Sequence, residues 1–442
     1  LDAWRAAWSE AYRCLLGEAL RFARDALADS GYLKKDFNRE RIGIVLGRGT
    51  YTNRGILNMV QHGMIMDQTM ELIRGLRPDL TDAELAKLKT QFKAQLPPYT
   101  AETVGLLTPN VIAGLIANRL DLMGPNFIVD AACASSLIAI ELAVREINSG
   151  RCDMMITGGV QAQCPPQLYM QFCQIGALSH GQLRPFQKGA DGTLLGEGVG
   201  VLVLKKLSLA EADGDRIYAV IKGIGSASDG KAKGLLTPRL EGEVLALKRA
   251  YESCGIDPAT IGLVEAHGTG TRVGDKTEIE SLTTLFGPRV GELPTIALGS
   301  VKSMISHCLP AAGSASMIKT ALALHHKVLP PMLCDEVDPE LGIEQTPFYI
   351  NNQARPWIHG GAAPRRLCEV LHGRAAAQEG GHGARDARGR RQRQRLAGDE
   401  RHAGARRTEG CRCDLCADRR QSGAFPFGGR RQKCRDAAQY AV

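Results

Sequence analysis

Four side chains in three short stretches could act together: Cys133 in VDAACASSLIAI, His267 in VEAHGTGT, and Lys302 and His307 in GSVKSMISH. A thiol attacks as its thiolate. The stretch Asp130-Ala131-Ala132-Cys133 ends a strand, and Ala134-Ser135-Ser136-Leu137 opens a helix. A sulfur at that junction faces unpaired backbone N–H groups and the positive end of the helix dipole, both of which favour the anion. A buried inert cysteine is the commoner fate of this residue, so position alone does not assign a nucleophile. His267 leaves its strand into a Gly/Thr-rich turn, and Lys302 leaves the following strand five residues before His307. A lone histidine is usually a hydrogen-bonded structural residue. A thiol, two imidazoles and an ammonium at strand ends of an α/β sheet, where such sheets hold ligands, point instead to covalent catalysis assisted by hydrogen bonds.

The elements that must position these groups occur twice. Residues EALRFARDALADSGYLKKDFNRERIGIVLG give an apolar helical face at Leu16, Leu20, Ala23 and Leu27, a turn at Gly31 and a strand from Ile42 to Leu46. Residues 241–271 repeat the plan, with a face at Val244, Leu247 and Tyr251, a turn at Gly255 and a strand from Ile261 to Val264. Each copy is followed by another strand and helix, PNFIVDAAC with ASSLIAIELAVREINSG, and TIALGSVKSM with AAGSASMIKTALALHHK. Strands alternating with helices of this length predict right-handed βαβ units and a mostly parallel sheet covered on both faces. The copies meet near residue 212, between GVGVLVLKKL and IYAVIKGIG.

With these motifs in hand, a family resemblance follows. VDAACASSL, EAHGTGTRVGD and GSVKSMISH resemble the three active-site motifs of β-ketoacyl synthases, the condensing enzymes of fatty-acid and polyketide assembly. RPFQKGADGTLLGEGVGVLVLKKL and NNQARPWIHG resemble the family in order and spacing, over about residues 15–366. RGTYTNRG and LMGPNFIVDAACASS are similar to the ketosynthase domains of multidomain polyketide or polyunsaturated fatty-acid synthases. The resemblance implies a thiolase-like fold of duplicated α/β/α/β/α layers. Residues 1–212 would be the half with Cys133, and 213–366 the half with both histidines. It implies a cytoplasmic homodimer whose partners are an acyl carrier protein and neighbouring synthase domains. Substrates would arrive on carrier-borne phosphopantetheine, with no metal and no directly bound cofactor. Cys133 would take the acyl group, His267 and His307 would stabilise the enolate left by decarboxylation, and Lys302 would order the network. A papain-like hydrolase would not need the second histidine or the lysine, and plant-type chalcone synthases carry Asn where His307 stands.

The chain also departs from the family. The first strand of the N-terminal half, near a motif like IAIVG, has no counterpart. Beyond Pro364-Arg365-Arg366, a strand and a Gly-Phe-Gly-Gly turn are expected, yet LCEVLHGRAAAQEGG follows. That turn would carry a gating Phe and the second oxyanion-hole N–H, the first coming from Cys133. Loss of one such donor costs about 10²- to 10³-fold in rate. Ser306 stands where the family has Gly, and its Cβ crowds a turn that needs positive φ. Condensation has two alternatives: an acyl-transferring or decarboxylating variant, and a silent fragment that only binds a carrier protein or a neighbouring chain.

Composition bounds the rest. The 442 residues are 44% hydrophobic and 23% charged, enough for a large core. No apolar run approaches the roughly 20 residues of a membrane span, and LDAWRAAWSEAY is no secretory signal. Thirteen cysteines without regular spacing read as reduced thiols. The net charge of +8 is uneven: from Gly361 onward there are 19 Lys plus Arg against nine acids, leaving 36 against 38 before it. Residues 367–442 read as an Arg/Gly/Ala-rich tail, disordered or from another reading frame, or else as a nucleic-acid arm, for which no accompanying fold signal exists. Cys411, Cys413 and Cys416 lack a second ligand pair for zinc, and Phe425-Pro426-Phe427-Gly428-Gly429 is a poor echo of the lost turn. Gly223-Ile224-Gly225 lacks the third glycine of a dinucleotide fingerprint and reads as a turn. The Met-rich NMVQHGMIMDQTM reads as an apolar helix face, or else as the lining of an acyl tunnel or a dimer contact.

Overall fold

A computed structural model describes residues 17–49, 54–99, 108–232, 234, 237–358, 365–371, 374–380 and 440–442. In chain order its principal elements are α1 (17–29), β1 (Ile42–Gly47), α2 (Val111–Leu120), β2 (Asn126–Val129), α3 (Ser135–Asn148), β3 (Met154–Gln161), β4 (Gly198–Lys206), β5 (Ala219–Ser226) and α4 (Leu240–Cys254). They continue as β6 (Ile261–Glu265), α5 (Arg272–Phe286), β7 (Ile296–Gly299), α6 (Ala312–His326), β8 (Phe348–Ile350), β9 (Arg366–Leu371), β10 (Arg374–Gly380) and β11 (Tyr440–Ala441). One eleven-stranded sheet holds every β-element named, in the order β2-β1-β3-β4-β11-β5-β10-β9-β6-β7-β8. The described residues all fall in one compact unit.

The repeat in the sequence becomes a repeat in the sheet. Parallel pairs β1–β2 and β1–β3 in the first half match β6–β7 and β6–β9 in the second. β3–β4 and β9–β10 are the matching antiparallel pairs. Of the apolar face expected on α1, Ala23 and Leu27 are buried and Leu20 is half-buried, Leu16 lies outside the described residues, and Ala19 joins the buried stripe; Gly31 and Gly255 take φ of 84° and 64° to end the equivalent helices. β1 and β3 are buried along their whole length, the pattern of a parallel core strand covered on both faces. No helix among the described residues is long and apolar enough to cross a membrane.

Three expectations need correction. Residues 367–371 and 374–380, assigned to the start of the off-pattern tail, join Arg366 in β9 and form β10 inside the sheet, so the strand beyond Arg366 exists although its sequence leaves the family motif. Leu367 and Cys368 are buried there, and backbone pairing to β6 and β5 holds the two strands in place. Gly223-Ile224-Gly225 is not a turn but the end of β5, where a Cβ on Gly225 would lie 2.1 Å from Ala246 O, so glycine lets α4 pack against the strand. The Met-rich segment is helical with a π-helical turn at Gln61–Ile65, and only part of it is apolar cover: Met66 and Met70 are buried, Met59 and Met64 exposed. Cys411, Cys413, Cys416 and Phe425–Gly429 lie outside the described residues.

Candidate active site

Cys133 sits on a strained elbow between β2 and α3. Ala132 before it has φ of 49°, a left-handed conformation that costs a residue with a Cβ about 1–2 kcal/mol. Local hydrogen bonds hold the turn: Ala132 N–H donates to Asp130 Oδ1 at 3.0 Å, Ala131 N–H to Ser135 Oγ at 2.9 Å, and Ser135 Oγ–H to Ala132 O at 2.6 Å. A tight 3-10 turn over Ala132–Ala134 leads into α3, so the sulfur lies at the helix N-terminus as the sequence implies. Its electrostatics differ from the expectation. Burial pushes the thiol up to about 11, and the Lys302 charge only partly offsets it. Desolvation outweighs the helix end, and Cys133 rests as a thiol.

His307 comes from the far half of the chain and places Nε2 3.0 Å from Cys133 Sγ. Its other nitrogen, Nδ1, accepts from the Leu309 N–H at 3.2 Å. A backbone amide can only donate, so in the neutral ring the proton resides on Nε2 and points to the sulfur. The backbone of His307 is pinned as well: its N–H donates to Leu194 O at 2.8 Å and its carbonyl accepts from Gly196 N–H at 2.9 Å. Ser306 adopts φ of 63° and Leu309 φ of 48°, so strain brackets the histidine on both sides. The crowding expected at Ser306 is thus present as a backbone strain.

The His267 ring stands 5.5 Å from that of His307, centroid to centroid, with the planes at 86°. Its loop is fastened by acids that the sequence reading did not single out. Glu278 of α5 accepts from the His267 N–H at 2.6 Å and the Gly268 N–H at 2.8 Å, and Asp275 accepts from Gly270 N–H at 3.1 Å and Phe186 N–H at 2.7 Å. Burial raises both carboxyls to about 7 against the pull of those amides. A signal existed: residues 275, 278, 279 and 282 share one helical stripe, and two acids on a stripe with buried Ile279 and Leu282 break the apolar pattern.

Lys302 opens a short helix after β7 and is 1% exposed. Its Nζ makes no hydrogen bond among the described residues. Burial lowers its pKa, while Glu278, Glu265, Cys133 and Glu369 act in the opposite direction. Glu265 is fixed by Val301 N–H at 2.6 Å and Lys319 Nζ at 2.6 Å, and Glu369 of β9 lies beside it in register. Lys302 therefore faces a cluster of acids from inside the core with no discrete hydrogen-bonded partner among the described residues.

Cys133, His267 and His307 line one cavity of about 430 Å³, with Phe172, Thr269 and Thr271 among its walls. Lys302 lies behind it. The structure thus brings three of the four sequence-derived candidates onto one surface and the fourth within electrostatic range. Among the described residues no group of His, Cys, Asp or Glu has the arrangement of a metal site.

Comparison with known proteins identifies the family. Residues 15–210 match the family described as beta-ketoacyl synthase, N-terminal domain, and residues 218–334 match its C-terminal domain. The chain is 38% identical over 355 residues to a polyunsaturated fatty acid synthase chain of Thraustochytrium sp., covering 78% of this chain and 12% of that protein. It is 37% identical over 346 residues to the polyketide synthase PksN of Bacillus subtilis, covering 76% and 6%. The ketosynthase from module 6 of the bacillaene synthase of Bacillus subtilis superposes with a TM-score of 0.66 at 31% identity, covering 84% of this chain and 59% of that one. The chain therefore spans about an eighth or less of these curated relatives.

Proposed function

The chain belongs to the β-ketoacyl synthase family, and from that premise we propose that it performs decarboxylative Claisen condensation on carrier-bound thioesters, with Cys133, His267, His307 and Lys302 as its working residues. The observation that carries this reading is the 3.0 Å approach of His307 Nε2 to Cys133 Sγ in a cavity shared with His267. In the first step the Cys133 sulfur attacks an acyl thioester, a new C–S bond forms, and the displaced pantetheine thiol leaves with the proton. Because His307 presents N–H to the sulfur, it supports the developing thiolate as a donor, and the Lys302 charge lowers the cost of that anion.

In the second step a malonyl thioester loses carbon dioxide, and the electron pair of the broken C–C bond moves into an enolate. Two imidazole N–H groups converging on the enolate oxygen stabilise its charge in a site already desolvated. The α-carbon then attacks the acyl carbonyl, the Cys133 C–S bond breaks, and a β-ketoacyl thioester departs. Glu278 and Asp275 are positioning residues, because they hold the His267 loop through its amides. We further infer a division into an N-terminal half, 1–212, and a C-terminal half that begins at 213 and runs past 366 to include β9 and β10. The substrates would ride on the phosphopantetheine of an acyl carrier protein, within a cytoplasmic synthase that pairs two copies of this domain beside other domains. The free cysteines among the described residues fit a reducing compartment.

Transfer without condensation is the second reading, favoured by one feature: residues 371–374 read Leu-His-Gly-Arg where the Gly-Phe-Gly-Gly turn belongs. Incubation with radiolabelled acyl carrier thioester and malonyl carrier tests both. Labelled wild type, unlabelled Cys133→Ala and a β-ketoacyl product support condensation. Label on Cys133 without product supports transfer alone, and no label on the wild type overturns both.

A further inference from the structure

The cavity that holds Cys133 is also lined by an acid for which the condensation chemistry has no use. Glu243 lies in the first turn of α4, on the stripe that continues through Leu247, Ala250 and Tyr251 into the core. It is 7% exposed, and its Oε2 has no hydrogen-bond partner among the described residues. Ser281, whose hydroxyl donates to Glu278 O at 2.9 Å, lies close enough to favour the charged carboxyl, while the neighbouring charges that act on it are the acids Glu278 and Asp229. Burial pushes this carboxyl up to about 8, which leaves it a protonated donor near neutral pH. A buried polar atom without a partner is costly unless a ligand supplies one.

Resting on the condensing-site reading above, we propose that Glu243 is a specificity-determining residue whose carboxyl hydrogen-bonds a neutral oxygen, hydroxyl or carbonyl, of the thioester-borne substrate. The surroundings select that class. Two nearby acids disfavour an anionic ligand, and in a cavity lined mainly by apolar groups such as Phe172, Ile175 and Val273 the hydroxyls of Thr237, Thr269 and Thr271 are neutral polar contacts that a neutral ligand oxygen would share with Glu243. An entirely apolar chain would leave the Glu243 oxygen unsatisfied, so the site discriminates by what a poor ligand fails to supply. The oxygen belongs either to the acyl chain or to an amide of the pantetheine arm, and both sources make the same bond.

Calorimetric titration of the full chain with non-transferable amide analogues separates these sources. The ligands are pantetheine, its butyryl amide and its 3-hydroxybutyryl amide, against wild type, Glu243→Gln and Glu243→Leu. Glu243→Leu is expected to weaken binding about tenfold, the loss of one buried hydrogen bond, while Glu243→Gln keeps a donor and stays within about twofold. A loss confined to the 3-hydroxybutyryl analogue assigns the acyl oxygen, and an equal loss for all three assigns the arm. Unchanged Kd values in Glu243→Leu overturn the proposal, as does wild type that binds none of the ligands. If Glu243→Leu fails to fold by circular dichroism, wild-type preference for 3-hydroxybutyryl over butyryl, retained in Glu243→Gln, decides the acyl arm, and equal affinity with no gain over free pantetheine overturns it. Acylation of wild-type Cys133 by butyryl-pantetheine, read by intact mass, reports separately on the condensing-site reading.

Discussion

Lys205 and Lys302 are both withdrawn from water, at 8% and 1% exposure, yet their surroundings are opposite. Lys205 of β4 donates to Tyr32 Oη at 2.5 Å, to Asp215 Oδ2 at 2.8 Å and to Asp213. Burial alone would lower its pKa, but these three partners raise it. The cluster ties the turn after α1 to the link between the two halves. Lys302 has no hydrogen bond among the described residues and a lowered pKa. One lysine is saturated where the chain needs strength, and the other is left electrostatically available beside the thiol. A buried charge with satisfied partners specifies structure, whereas one without them is poised to respond to charge that develops during a reaction.

Substituting the two lysines alike gives the sharpest test of that contrast. Lys302→Met is expected to lower single-turnover acylation of Cys133 about 10²-fold, the scale of one lost electrostatic stabiliser, with a smaller change in Tm than Lys205→Met. Lys205→Met removes the cation shared by Tyr32, Asp213 and Asp215 and is expected to cost about 2 kcal/mol in urea unfolding, because Asp215 keeps Lys35 at 2.6 Å and Asp213 reaches solvent, while acylation at low temperature is retained. Equal Tm losses for the two variants would erase the distinction. The acids behind Lys302 supply a third check. Asp275 and Glu278 titrate near 7 when folded, above their unfolded values of 3.8 and 4.5, so their contribution is fully present below about pH 4 and is lost as pH rises through 7. Urea unfolding free energies should therefore fall between about pH 5 and 7 by up to about 1.4 kcal/mol per pH unit for each group. Glu278→Gln flattens that slope, and Asp213→Asn at the Lys205 cluster leaves it unchanged. The smallest effect concerns Ser306, whose φ of 63° favours glycine: Ser306→Gly should stabilise by about 1 kcal/mol, and a loss of stability would remove the strain argument.

Much of this site was readable before any coordinates. The apolar spacing of 17–29 and 240–254, the strand runs ending at Cys133 and His267, and the turns at Gly31 and Gly255 are local signals, and the structure reproduces them. Asp275 closes the motif EAHGTGTRVGD and Glu278 follows it on the same helical stripe, but that they accept from amides 5, 10 and 11 residues earlier and, at Phe186, 89 residues earlier is set by the fold and not by the residue types. β9 and β10 were missed for a related reason. Residues 366–380 lack strong strand periodicity, and their pairing depends on β5 and β6, which lie far earlier in the chain.

By itself the sequence determined which chemical groups were present, in what order, and on which kind of element, because periodicity and turn residues act over a few positions. The tertiary structure alone decided their state. Burial makes Cys133 a resting thiol despite its helix terminus, the Leu309 amide selects the His307 tautomer that faces the sulfur, and converging acids surround Lys302. Desolvation and hydrogen-bond direction depend on residues that are distant in the chain and adjacent in space, so no local reading contains them.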